Sequence, residues 1–176
     1  MLIDEVLNNK EIKSKVKTEL LSTALLENDI TINQIMDYSK EAKISIMGTC
    51  MEVLEAATSE KPGIATPKLL EFAENNLSVQ APRIKWESAK VIGNIAHLFP
   101  EQLEIPVKHL LENTSHEGTV VRWSAAYALT KIVSLPKYSN SKLVGQLKEI
   151  AATEDKQSIK TIYEKAFVSI QTIEER

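Results

Sequence analysis

The sequence predicts an all-α chain of stacked helical hairpins, and three observations carry that reading. First, a nine-residue cassette occurs twice. Ile84-Lys85-Trp86-Glu87-Ser88-Ala89-Lys90-Val91-Ile92 returns as Val121-Arg122-Trp123-Ser124-Ala125-Ala126-Tyr127-Ala128-Leu129, 37 residues further on. Self-similarity at such a period marks an array of small units, each burying its apolar face on the next. Second, apolar residues recur at spacings of three and four, and no stretch alternates with period two for long enough to form a strand. Ala89, Ile92, Ile95 and Ala96 make one such stripe, and Ala126, Leu129, Ile132 and Val133 its counterpart. Third, helix formers dominate and the 176 residues include only 5 glycines.

Taken in order, helices are predicted over 11–27, 32–38, 42–58, 67–76, 82–98, 101–113, 119–134, 140–152 and 156–173, about nine in all. Val16-Lys17-Thr18 before Leu21 and Ala24, and Ala42-Lys43-Ile44 before Met47 and Cys50, are degenerate copies of the cassette entry. Lys61-Pro62-Gly63 and Pro67 break the chain, and Pro82 and Pro100 sit just inside helix starts, where a missing N–H costs nothing. Pro136 ends a helix, and Ser139-Asn140-Ser141 supplies capping side chains for the next. A third copy begins at Ile159-Lys160-Thr161, 38 residues after the second, with Ala166, Phe167 and Ile170 in its stripe and Thr161 in place of Trp. Short connections make successive helices antiparallel neighbours. The chain therefore reads as one repeat domain, 1–176, with degenerate repeats over 11–58 and clear ones over 66–98, 101–134 and 140–173.

Composition bounds the function. Hydrophobic residues at 43% and charged residues at 26% are ordinary for a globular domain. The single Cys50 excludes an internal disulfide framework and suits a reducing compartment. Met1-Leu2-Ile3 is followed at once by Asp4-Glu5, unlike a signal peptide, and no apolar run is long enough for a bilayer, so no membrane association and a cytoplasmic location are expected. A net charge of −3 argues against indiscriminate nucleic-acid binding. Charge is nonetheless segregated: residues 82–98, 118–134 and 156–170 each carry +2, leaving −9 on the rest. His97, His109 and His116 form no metal-ligand spacing, and no phosphate-binding loop, dinucleotide fingerprint or nucleophile elbow occurs. No metal, no cofactor and no catalytic site are expected, and the chain reads as not an enzyme.

The stretch His116-Glu117-Gly118-Thr119-Val120-Val121-Arg122-Trp123-Ser124-Ala125-Ala126-Tyr127-Ala128-Leu129 resembles a HEAT repeat, and Glu154-Asp155-Lys156-Gln157-Ser158-Ile159-Lys160 resembles the entry to another. Pro106 within the first helix of its hairpin is also similar to the family, whose first helices are often kinked by proline. The resemblance covers 66–173 well and 11–58 loosely. It implies a right-handed α–α superhelix whose second helices line a concave face. It also implies that Lys85, Arg122 and Lys160 form a structural ladder of salt bridges to acids such as Glu74, Glu117, Glu154 and Asp155. A weaker resemblance, to the HEAT-like alkylpurine DNA glycosylases, rests on Trp86, Arg122 and Trp123. It lacks the family's catalytic acid, because Lys90 and Tyr127 stand one turn after the two Trp residues. Glu87 should point roughly 100° away around the helix.

On that geometry the concave groove would carry Trp86, Lys90, Trp123, Tyr127, Lys131 and Lys165, with Gly93, Asn94 and Thr130 along the same faces. Two readings of the Trp pair stand at this point: an open aromatic-basic strip, or core packed between hairpins. The first predicts a non-catalytic scaffold for a protein or peptide partner, Lys90 and Lys165 selecting its acidic residues. Unpaired nucleic acid or phosphate is the alternative ligand, and a second copy of the chain a further possible occupant.

Overall fold

The computed structural model describes residues 2–174, with side chains described to Gln171. Met1 and residues 175–176, the extremes of the 1–176 assignment, lie outside the described residues. Ten α-helices occur in this span: α1 Leu2–Asn8, α2 Ser14–Leu26, α3 Ile32–Lys40, α4 Ile44–Glu60, α5 Pro67–Asn76, α6 Pro82–Ile95, α7 Glu104–Asn113, α8 Thr119–Val133, α9 Lys142–Thr153 and α10 Gln157–Glu174. Successive pairs form five antiparallel hairpins, and no strand occurs among the described residues. The architecture is the all-α, HEAT-like helical stack that the cassette predicts.

The helices sort into two layers. The shorter first helices (α1, α3, α5, α7, α9) lie along one side, where α3, α5 and α7 touch one another sparingly. The longer second helices (α2, α4, α6, α8, α10) pack neighbour on neighbour along their lengths. Contacts between them climb in register, Gly48 against Arg83, Glu55 against Lys90 and Thr58 against Asn94, so the second helices run parallel. Close packing of one layer and looser packing of the other place the second helices on the inner side of the stack.

Small residues make the close approach possible. The α6–α8 contact is the most extensive among the described residues, and buried Gly93 and Ala128 meet in it. Between the layers run the apolar stripes, including Leu69, Ala73, Ile92, Ile95, Leu110, Leu129 and Ile132, none more than marginally exposed.

Caps set the helix boundaries. Thr31 and Gln34 form a reciprocal capping box at α3. Thr66 accepts from the Leu69 N–H before Pro67, and Ser141 accepts from the Leu143 N–H at α9. Asn28, with φ 68°, turns the chain out of α2.

Three local differences from the sequence reading have plain causes. The tenth helix, α1, has only 7 residues, too few to show a period. Tertiary contacts hold it: it buries Ile3, Val6 and Leu7, Lys17 Nζ donates to the Leu7 carbonyl at 2.6 Å, and Tyr38 donates to Asp4 at 2.8 Å. The predicted helix 101–113 starts later, because 3₁₀ turns at Ala96–Leu98 and Pro100–Gln102 carry the chain between hairpins. Pro106 is consequently the third residue of α7, where no intrahelical N–H bond is required, and it starts that helix instead of kinking it.

Ile92 is fully buried in α6, the helix flanked by both α4 and α8. Truncation to Ala should lower stability by about 2–5 kcal/mol in urea denaturation, whereas Ala at exposed Ile105 on α7 should leave the midpoint nearly unchanged.

Candidate binding groove

The outward face of the second-helix layer gathers most of the chemistry that the cassettes encode. On α8, Trp123 is 36% exposed and stacks on Tyr127, with ring centroids 5.7 Å apart and planes within 7°. Lys131, one turn further, holds its ammonium 5.7 Å from the Tyr127 centroid, within cation–π range. The three make a continuous strip because i and i+4 share a helix face.

Tyr127 is set by the neighbouring helix. Its ring lies on Gly93 of α6, where an added Cβ would come within 2.7 Å of Tyr127 Cε1 and 3.2 Å of the Ala128 Cα. Its hydroxyl donates to Asn94 Oδ1 at 2.7 Å, and Asn94 Nδ2 donates to the Glu55 carbonyl and to Thr58 Oγ1, both at 3.2 Å. A hydrogen-bonded line thus crosses three helices, α8 to α6 to α4. Burial of the phenol raises the Tyr127 pKa, with the charge of Glu55 adding to the effect.

Trp86 occupies on α6 the place that Trp123 has on α8, and is half-buried. Its indole Nε1 donates to Glu87 Oε1 at 2.7 Å. Glu87 Oε2 faces Lys90 Nζ at 3.2 Å, and Lys90 reaches Glu55 Oε2 at 3.1 Å. Glu87 is only 5% exposed. Its burial raises the carboxyl pKa above the ordinary value, although Lys90 and the Trp86 indole act against that rise. Burial alone would lower the Lys90 pKa, but Glu87 and Glu55 together outweigh it and the ammonium is held more firmly charged. Beside this cluster Arg83 pairs with Glu52 and lies over Gly48 of α4.

Several expectations change here. Glu87 starts around the helix from Trp86 as expected, but its buried side chain reaches back to the indole and to Lys90. Lys90 is held by two carboxylates and is not free to select acidic residues of a partner. Thr130 is buried, its hydroxyl donating to the Ala126 carbonyl, so it does not line the groove. Lys131 is exposed, and exposed Lys165 holds on α10 the register of Tyr127 on α8.

The ladder is one rung. Arg122 grips Glu154 through Nε at 3.0 Å and Nη2 at 3.1 Å, reaches Asp155 at 2.8 Å, and donates to the carbonyls of His116 and Glu117. This ties α8 to the α9–α10 turn and removes Arg122 from the groove. Lys85 donates to Asn113 at 3.2 Å, because a buried asparagine, itself bonded to the Leu77 carbonyl, stands where an acid was expected. Lys160, half-buried on α10, forms no ion pair among the described residues. Glu55, unmarked in the sequence reading, stands three turns after the cassette-entry residue Ile44 on the same face of α4; that spacing was the available signal.

No group of His, Cys, Asp and Glu among the described residues has a metal-holding arrangement, and no described helix is long and apolar enough to cross a membrane. Cys50 is fully buried, its thiol pKa pushed up to about 12 by burial, which leaves it unreactive.

No protein-family model matches the chain, and no curated protein matches it in sequence. Among solved structures it is similar to the complex of CpcE and CpcF of phycocyanin lyase from Nostoc sp. PCC7120, with a TM-score of 0.72 and 19% identity over 93% of this chain and 96% of that one. At that identity the likeness concerns the fold, and it supports the helical-repeat assignment. The likeness to alkylpurine DNA glycosylases gains no support, and Arg122, which carried part of it, is engaged elsewhere. The expectation that the chain is not an enzyme is overturned, since the same fold over nearly the whole chain belongs to a complex named as a lyase. The absence of linear catalytic motifs was weak ground for that expectation, because a helical stack brings polar groups together across helices, as with Glu55, Glu87 and Lys90.

Two measurements test this geometry. Gly93→Ala should displace the Tyr127 ring and lower stability by a net ~1–2 kcal/mol, the overpacking cost less the ~1 kcal/mol that Ala gains over Gly in a helix. Near-ultraviolet circular dichroism should change with it; an unaltered spectrum with raised stability would show that the ring does not rest on Gly93. For Glu87, a folded-state pKa above the unfolded 4.5 contributes stability that is complete below that value and lost as pH rises through the folded value. The stability of wild type relative to Glu87→Gln, from paired urea titrations, should therefore fall from about pH 4.5 upward and then level off. A difference that grows with pH would reverse the assigned shift.

Proposed function

We propose that the chain is a protein-binding helical subunit that works beside a second protein in an enzyme of the lyase kind. The observation that carries the binding half is the exposed Trp123–Tyr127–Lys131 strip, with Trp86 alongside on the next helix. Trp and Tyr bury a large area at small entropic cost and are over-represented among residues that dominate interface energies. Here the strip is already ordered, because Gly93 and Asn94 hold Tyr127 in place and Tyr127 holds the indole. Little ordering remains to oppose binding.

The second half rests on the similar fold of the CpcE–CpcF complex, in which two proteins together constitute a lyase. In this chain, the groups with acid–base capacity on the same face are Glu87 and Glu55, joined through Lys90. A protein segment is favoured over nucleic acid because Glu55 and Glu87 hold Lys90 and remove it as a phosphate ligand.

A photo-crosslinking amino acid at position 123, with Lys68 on α5 as the control position, tests the reading in the cell that makes the protein. A discrete crosslinked species from position 123 and none from position 68 is expected. Equal crosslinking from both positions, or none from position 123, would remove the groove from consideration, and a species of twice the chain's mass would identify a second copy as the occupant.

A further inference from the structure

The inner face is divided by charge, and we infer that its occupant is a protein segment of matching division, cationic at one end and acidic at the other. This deepens the groove reading and rests on it. On α4 and α6 the charges clustered at this face are Glu52, Glu55, Arg83, Lys90 and the buried Glu87 beneath them, a net −1 in which both cations are already bound by carboxylates. A partner's carboxylate finds no uncommitted cation there, whereas a partner's ammonium or guanidinium can share Glu52 and Glu55, each of which engages its cation through Oε2 alone. On α8, exposed Lys131 follows the Trp123–Tyr127 stack with no acid between residues 118 and 134. On α10, exposed Lys165 holds the register of Tyr127, while Glu164 stands one residue off it, at the register of Ala126 and about 100° around the helix. The α8–α10 half is therefore basic along the groove.

Between the halves lie the apolar contacts, with Trp86 on one side and Trp123 and Tyr127 on the other. Neighbouring helices are about 8–10 Å apart, so crossing from α4 to α10 takes roughly 25–30 Å. An extended segment of about eight residues at ~3.3 Å each spans that distance. Its basic end would lie over α4, an apolar or aromatic residue on the indoles, and its acidic end over α10. This differs from the acid-selecting groove that composition implied, because the lysine meant to select acids on α6 is neutralised in place.

Four synthetic peptides with the same apolar centre separate the possibilities. One has a lysine-rich and a glutamate-rich end, one the same residues interleaved, one lysine at both ends, and one glutamate at both ends. Isothermal titration is carried out on the wild type, Lys131→Glu/Lys165→Glu and Trp123→Ala, each checked by circular dichroism for native helicity. The divided peptide should bind wild type roughly tenfold more tightly than the interleaved one, like-charge contacts accounting for the loss. The lysine double variant should weaken the divided peptide and favour the peptide with lysine at both ends. Trp123→Ala should weaken binding of every peptide. Equal binding of divided and interleaved peptides, both sensitive to Trp123→Ala, overturns the divided groove and leaves the aromatic groove standing. No binding, or binding indifferent to Trp123→Ala, overturns both.

Discussion

The contact of α6 with α8 governs the inner face. Two parallel helices approach closely only where side chains are small, and here a Cβ on Gly93 would come within 2.7 Å of the Tyr127 ring and 3.2 Å of the Ala128 Cα. That gap is the seat of the Tyr127 ring. From the ring follow the Asn94 hydrogen bond, the placement of Trp123 by stacking, and the position of Lys131 over the phenol. The same device recurs one helix earlier, where Arg83 lies over Gly48 and pairs with Glu52. A glycine on one second helix holding a long side chain from the next orders surface groups that would otherwise be mobile, without spending them on the core.

Charge is handled differently at the two edges of this face. Toward α4, cations and carboxylates neutralise each other in a half-buried network, and the low-dielectric setting raises the cost of leaving any member unpaired. Toward α10, the lysines remain exposed. Arg122 belongs to neither edge. It spans from the start of α8 to the α9–α10 turn, meeting a buried carboxylate and two backbone carbonyls, and its work is to join consecutive hairpins. The two basic residues that precede the indoles thus have separate roles despite their identical place in the cassette. Lys85 meets the amide of Asn113, while Arg122 meets two carboxylates.

Chemistry distributed over neighbouring helices leaves no linear motif. Glu55 and Glu87 lie 32 residues apart in the chain, yet both contact Lys90. A scan for linear signatures passes over any such cluster, so their absence does not decide against an enzyme, and the fold is similar to that of a complex named as a lyase.

Local periodicity was enough to determine the hairpin stack, the order of short and long helices, and the equivalence of Trp86 with Trp123, since each depends on residues within a turn or two of one another. The boundary signals at Thr66-Pro67, Ala81-Pro82 and Ser141 were legible for the same reason. Helix α1 was not, because so short a segment is helical through its packing against α2 and its bonds to Lys17 and Tyr38. Nor could the sequence decide which charged side chains stay free. That depends on which residues of the adjoining helix come within about 3 Å, a matter of inter-helix register that no single helix encodes. Tertiary structure alone neutralised Lys90, drew Glu87 back to the indole, buried Thr130 and left Trp123 at the surface.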